Sequence, residues 1–322
     1  MRYEKIPGTD LDVSRICLGT VHFGTKMSEP DSFAFMDAFC RLGGNFLDTA
    51  LNYADWSSEV KAASEKTIGK WLSARKLHHK VIVGTKGACP RTGGPFFRLK
   101  REDILSDLEE SLRNLQTDCI DLYWLHRDDP SIPVETIIDV LEEQVRAGKI
   151  RYYGCSNWTL ARIRKAQAYA ASIGKSGFVA NQMMWSLAEP NMDAVSDKTL
   201  ALMDEETRAY HNKTGMASIP YSSQAGGFFS GQYRRGEPPA RKPSLIKLYG
   251  NDTNFDRLER VQEVARRTGA TSNQIALAFL LSQPHAVFPI IGSRTLEQLE
   301  DSCAAGDLRL DPETVKYIEF GT

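Results

Sequence analysis

GTVHFG, residues 19–24, decides between two folds open to this chain. It follows RICLG (15–19), the first of a series of short β-rich apolar segments. A doubly wound sheet that holds a dinucleotide usually has a GxGxxG turn after its first strand. GTVHFG does not match it. Working outward, seven more segments of the same texture follow: NFLD (45–48), KVIVGTK (80–86), CIDLYWLH (119–126), IRYYGCS (150–156), FVANQ (178–182), ASIPYS (217–222) and VFPIIG (287–292). Helical periodicity lies between them. Ile104, Leu108, Leu112 and Leu115 share one face, as do Val134, Ile138, Leu141 and Val145, the latter between Pro133 and Gly148. Eight strand-then-helix units in 322 residues predict an α/β protein of the (β/α)8 TIM-barrel type, a single domain over 1–322.

Two segments fall outside the repeat. MRYEKIPGTDLDVS (1–14) has a Pro-Gly turn between alternating apolar residues, which predicts an N-terminal β-hairpin covering the barrel's N-terminal end. The long loop after strand 7 contains GGFFSGQYRRGEPPARKPSLIKLYGND (226–252), whose Gly, Pro and charge content predicts a mobile cover.

Composition removes several classes of function. Forty Lys and Arg against forty-one Asp and Glu leave a formal charge of −1 with no basic stripe, so nucleic acid is not an expected partner. The longest apolar run, IALAFLL (275–281), is far too short to cross a membrane. Six scattered cysteines without metal-ligand spacing read as buried free thiols in a reducing compartment. With no targeting signal in the N-terminal residues, the expected location is cytoplasmic.

Residues at the C-terminal ends of barrel strands meet at one mouth. Those ends contribute Asp48, Lys86 and His126, with Tyr53 one turn beyond Asp48. A buried carboxylate and a buried ammonium are tolerated when paired, which predicts an Asp48–Lys86 ion pair. The ammonium beside Tyr53 is expected to lower the phenol's pKa from about 10 and make it a proton donor. His126 adds a second hydrogen bond to whatever the phenol addresses. A carbonyl oxygen gaining negative charge needs such a group.

On these residues the chain resembles the aldo-keto reductase family over nearly its whole length. FLDTALNY, IVGTKG, SLRNLQTDCIDLYWLH, VRAGKIRYYGCSN, IPYSSQAGGFFSGQY and IIGSRTLEQLEDS are similar to six family segments in order. The resemblance implies that Tyr53 is the general acid, tuned by Lys86 and Asp48, and that His126 orients the substrate carbonyl. It implies that Ser156, Asn157 and Gln182 bind a nicotinamide carboxamide, that Tyr221 stacks on the ring, and that Ser222 and Gly292 line the rest of the cofactor groove. Ser293 and Arg294 precede a helix and suit a phosphate, which favours NADP(H). Gln298 and Asp301 match positions near the ribose phosphate and adenine. Two departures stand out. Ser302 replaces a common asparagine, and of two Ser-Glu steps after Tyr53, Glu65 in SEKTIGKWL is the better match than Glu59.

Trp56, Trp158 and Trp185 follow strand ends and are candidate walls of the substrate pocket, while His22 and Arg127 lie near the mouth without a role. The expected activity is reversible, NADPH-dependent reduction of a small-molecule aldehyde or ketone. The alternatives are an NADPH-binding redox sensor with little turnover, and a barrel hydrolase or aldolase with Lys86 as Schiff-base nucleophile.

Overall fold

A computed structural model describes residues 1–56, 59–90, 96–237 and 243–322. The hairpin forms from β1 (Tyr3–Lys5) and β2 (Asp12–Ser14), paired antiparallel. The eight remaining segments become the parallel strands β3 (Cys17–Gly19), β4 (Phe46–Asp48), β5 (Ile82–Gly87), β6 (Ile120–Leu125), β7 (Ile150–Ser156), β8 (Ala180–Gln182), β9 (Ala217–Ser218) and β10 (Ile290–Ile291). Their order is β10-β3-β4-β5-β6-β7-β8-β9. The cylinder closes where Ser218 N donates to Ala286 O at 2.9 Å and Phe288 N donates to Ser218 O at 2.9 Å. The result is a (β/α)8 barrel.

GTVHFG takes no part in a helix start. Gly19 ends β3, Phe23 N turns back onto Thr20 O, and the next helix begins only at Glu29. Gly24 has φ +70° and its α-carbon faces Thr67 so closely that a Cβ would lie 2.3 Å from Thr67 Oγ1. This glycine serves close packing between loop and helix.

Strand alternation divides the core into two layers. Along β6, Leu122 and Trp124 pack inside the barrel with Cys17, Phe46 and Phe288, while Tyr123 and Leu125 face the helices. Trp124 fits because the neighbouring strands carry glycine: a Cβ on Gly84 would lie 2.8 Å, and one on Gly154 2.4 Å, from its ring. Ile6, Leu11 and Val13 of the hairpin join this inner cluster and plug the N-terminal end, as expected.

The insertion after β9 differs from expectation. Ala225–Ser230 forms two 3-10 turns across a kink at Gly226 and Gly227 (φ +64° and +94°); Phe228 and Phe229 are fully buried, and Phe228 stacks on Tyr233 at 5.8 Å. A helix follows at Pro243–Tyr249, with Tyr249 buried against the same cluster. The aromatic residues anchor what Gly, Pro and charge content had predicted as a mobile cover; residues 238–242 of this insertion lie outside the described residues.

Glu65 ties the outer layer together. On the helix Ala63–Arg75 it accepts from Thr85 Oγ1 of β5 at 2.5 Å and from Asn114 Nδ2 of the next helix at 2.9 Å. Burial raises its carboxyl from 4.5 to about 7. The folded chain therefore keeps a proton that the unfolded chain releases above its own, lower pKa. Stability is fully present below pH 4.5 and is lost as pH rises toward about 7, by about 3 kcal/mol. Urea unfolding of Glu65→Gln should lack this slope between about pH 5 and pH 8. A slope unchanged in the variant would assign it to other groups.

Candidate active site

The carboxylate at the end of β4 and the ammonium near the end of β5 meet inside the barrel mouth. Lys86 Nζ donates to Asp48 Oδ2 at 2.6 Å, to Thr49 O at 2.7 Å and to Tyr53 OH at 2.7 Å. All three of its donors are used, and both charged side chains are buried (1 % and 2 % exposed). Asp48 accepts further from Gln182 Nε2 at 2.9 Å and from Tyr53 OH at 3.3 Å. In a buried pair with its remaining valences filled in this way, mutual attraction and hydrogen bonds offset the desolvation cost. Neighbouring register puts it there, since β4 and β5 pair Asp48 opposite Gly84, one pleat from Lys86.

His126 follows β6 and presents its ring edge-on to Tyr53, centroids 6.2 Å apart. Burial first, then the Lys86 and Arg127 charges, hold it well below its ordinary pKa, so the imidazole is neutral. Its Nδ1 is buried without a partner. A neutral imidazole retains one N–H for a hydrogen bond.

Tyr53 departs from expectation. Burial of its hydroxyl, and then the Asp48 carboxylate, push the phenol well above its ordinary pKa, not below it. The physical reason is first the desolvation of the hydroxyl; Asp48, which comes with Lys86, then offsets the ammonium at the phenol. The hydroxyl is held protonated, with the ammonium 2.7 Å away from the charge that proton loss would create. Burial lowers the Lys86 pKa while Asp48 opposes that change. Two thiols nearby, Cys17 and Cys89, are raised by burial, the latter to about 11, and are inert at neutral pH.

A carboxylate, a lysine, a tyrosine and a histidine gathered at the mouth of a (β/α)8 barrel accord with the comparisons. Residues 15–320 match the model of the aldo/keto reductase family. The chain belongs to the aldo/keto reductase family. Over 99 % of its length it is 33 % identical to the uncharacterized oxidoreductase YrpG of Bacillus subtilis, covering 95 % of that protein. It is 30 % identical to an aryl-alcohol dehydrogenase [NADP(+)] of Phanerodontia chrysosporium, covering 97 % of this chain and 83 % of that one. It is also 30 % identical to the norsolorinic acid reductase stcV of Emericella nidulans (97 % and 79 %). The crystal structure of the thermostable aldo-keto reductase Tm1743 with the inhibitor epalrestat has the same fold, with a TM-score of 0.73 at 22 % identity over 99 % of both chains. This aldo/keto reductase is an oxidoreductase of the carbonyl-reducing type.

The remaining sequence candidates of the reductase divide into groups. Ser156 and Gln182 end β7 and β8, Asn157 follows β7, and Tyr221 follows β9. Asn157 Oδ1 accepts from Tyr221 OH at 2.7 Å, and Asn157 Nδ2 donates to Ser156 Oγ at 3.1 Å. Asn157 achieves this at φ +59°, a left-handed conformation that asparagine tolerates better than most residues. Ser222 likewise has φ +55° in the turn after β9 and is exposed.

After β10, Gly292 leaves open space around its α-carbon, and Ser293 Oγ is buried with no partner. Arg294 is exposed just before the helix Leu296–Ala304, and its backbone N–H is taken by Gln298 Oε1 at 3.0 Å. Asp301 is committed elsewhere. It accepts from Thr271 Oγ1 (2.7 Å), Asn273 Nδ2 (2.7 Å) and Gln274 Nε2 (2.9 Å), which ties its helix to the start of Ser272–Leu281. Ser302 joins that network through Gln224.

The tryptophans separate as well. Trp56 is 61 % exposed and lines a cleft of about 280 Å³ with Leu51, Asn52, Cys89 and Arg98. Trp158 is a core residue, not a pocket wall: it is 1 % exposed, against Phe178 at 5.0 Å and beneath Arg162. Trp185 is buried and stacks on His285 at 5.8 Å. Arg127 donates to Asp197 at 3.0 Å and to the His126 carbonyl at 2.8 Å, bracing the mouth.

Sequence reading missed the Thr49 carbonyl, the grip of Gln182 on Asp48, and Gln224. Gln224 accepts from Gly292 N at 3.1 Å and donates to Asn273 and Ser302 at 3.0 Å, joining the loop after β9 to the Gly292–Arg294 turn. A backbone acceptor has no residue signature, and an amide after a strand has many possible partners.

Proposed function

We propose that this reductase converts an aldehyde or ketone to an alcohol with NADPH, reversibly, with Tyr53 as the proton donor. The observation that carries the reading is the Lys86 ammonium locked between Asp48, Thr49 O and the Tyr53 hydroxyl. When bound, NADPH supplies the hydride. Ser156, Asn157 and Gln182 offer the hydroxyl and amide groups that a carboxamide requires, and Tyr221 offers a flat ring to stack on. The orphaned Ser293 Oγ, the open space at Gly292 and the exposed Arg294 suit the phosphate end.

The proton leaves Tyr53 OH for the substrate oxygen as negative charge grows there. The resulting phenolate lies 2.7 Å from Lys86 Nζ, so the charge develops beside a cation already oriented and desolvated. Asp48 keeps that cation protonated through the cycle. Neutral His126 directs its N–H to the same oxygen and holds the carbonyl for attack. The exposed Trp56 suits an apolar or aromatic substrate, in keeping with the names of the aryl-alcohol dehydrogenase and norsolorinic acid reductase relatives.

The test is oxidation of NADPH and of NADH with an aromatic aldehyde. Arg294→Ala should raise KM for NADPH about tenfold, the loss of one charge-assisted contact, and leave KM for NADH unchanged. Equal KM values for both cofactors in the unmodified enzyme would overturn the NADPH preference, and no turnover with either would overturn the activity.

A further inference from the structure

The end of the barrel opposite the catalytic mouth holds a second concave site. Arg15 lies just before β3 and Ala286 precedes β10, so both mark N-terminal strand ends. A cavity of about 260 Å³ opens there, and Arg2, Glu4, Arg15, Gln283, His285 and Arg309 contribute to its lining. Three guanidiniums face one carboxylate. His285 adds no charge: its ring nitrogens meet Ser218 Oγ at 2.9 Å and Asn212 Oδ1 at 2.7 Å, and burial pushes it down to about 3. Two positive charges are left in excess.

Glu4 balances one of the three charges, and backbone carbonyls hold Arg2 and Arg15 in place without neutralising the rest. Arg15 is 8 % exposed; it pairs with Glu4, donates from Nη2 to Leu281 O at 2.6 Å, and lies over the Phe288 ring. Its Nε–H is buried with no acceptor. Arg2 spends two donors on the carbonyls of Gly306 (3.1 Å) and Leu308 (2.6 Å). Arg309 is exposed and makes no ion pair among the described residues. Burial, with Arg2 and Arg309 nearby, brings the Arg15 pKa down to about 10, the response of a cation held among like charges.

We infer that this cavity binds a tetrahedral oxyanion, either free phosphate or the phosphoryl group of a small metabolite. Arg309 spends no donor on another described residue, so its guanidinium fork can pair with such oxygens in bidentate fashion, with the charges of Arg2 and Arg15 lining the same cavity. A phosphate monoester near neutral pH carries about −1.5 to −2, which matches the excess better than a carboxylate's single charge. The bound anion bridges Arg2 and Arg15, at either end of the N-terminal hairpin, to Arg309 in the C-terminal segment. It pins the hairpin plug against the barrel, so occupancy reads out as stability.

The test uses the full-length protein at constant ionic strength set with chloride. Titrating inorganic phosphate should raise the melting temperature saturably. Arg309→Gln should weaken the apparent affinity at least about tenfold while NADPH-dependent turnover stays unchanged. Arg294→Ala should retain the rise. No saturable rise, or the same affinity in Arg309→Gln, would overturn the site. Loss of the rise in Arg294→Ala would overturn it too, by placing the phosphate in the cofactor groove. Phenyl phosphate binding more tightly than the inorganic ion would mark a metabolite as the ligand, and weaker binding would mark the free ion; either supports the cavity as the site.

Discussion

Tyr53→Phe should lower kcat for aldehyde reduction by about 10³-fold, within the range that a positioned general acid contributes. The ring remains, so the edge-on contact with His126 at 6.2 Å persists, and Lys86 keeps its bonds to Asp48 and Thr49 O. The fold should survive with a loss of about 1–2 kcal/mol at most, the scale of one partly buried hydrogen bond. NADPH affinity, followed by quenching of protein fluorescence, should be unchanged, because the proposed cofactor contacts lie on other strands. Lost turnover with retained binding would separate proton donation from cofactor capture; turnover within tenfold of the original would end the role proposed for Tyr53. The pH profile adds a second check. Because burial and Asp48 hold the phenol protonated well above its ordinary pKa, kcat/KM for reduction should not fall at alkaline pH through loss of this acid until beyond the usual tyrosine range.

Lys86→Met should cost about 3–5 kcal/mol of stability, because it strands the Asp48 carboxylate in a site 2 % exposed. The neutral donors that remain, the Gln182 amide and the Tyr53 hydroxyl, cannot replace the ammonium's charge. Adding Asp48→Leu to Lys86→Met removes the orphaned charge, and the double variant should regain most of the loss, since a buried pair is often worth little more than apolar residues of similar size. Neither variant should turn over aldehyde. Denaturant unfolding of the two singles and the double measures the coupling directly. A double variant no more stable than Lys86→Met would show that the carboxylate is not stabilised mainly by this lysine. A single variant losing less than about 1 kcal/mol would mean that the pair is more hydrated than its burial implies.

Much of this protein was legible in the sequence because strand and charge signals do not depend on distant partners. IVGTK and DLYWLH are apolar runs that end abruptly in a basic side chain, and such endings are costly unless the fold uses them. The eight runs, their parallel closure and the hairpin plug followed from periodicity and turn chemistry. The strand ends named Asp48, Lys86 and His126, with Tyr53 one turn beyond Asp48, and the family resemblance implied their roles. Glu65, singled out against Glu59 by SEKTIGKWL, stands where the helix Ala63–Arg75 meets Thr85 and Asn114.

Other features needed the folded chain. The pKa of Tyr53 depends on how deeply its hydroxyl is buried and on how the Asp48 and Lys86 charges balance there, and neither quantity is local. Trp158 and Trp56 both follow strand ends, yet one packs under a helix and the other faces solvent. Phe228, Phe229 and Tyr233 overrode a loop-like composition by finding a common cluster. The arginines of the barrel's far end are spread from residue 2 to residue 309, and only closure of the chain brings their charges to one cavity. Local pattern set the elements and the identities of the chemical groups. Desolvation, charge balance and backbone acceptors were decided by packing, because each is a property of what surrounds a residue and not of the residue itself.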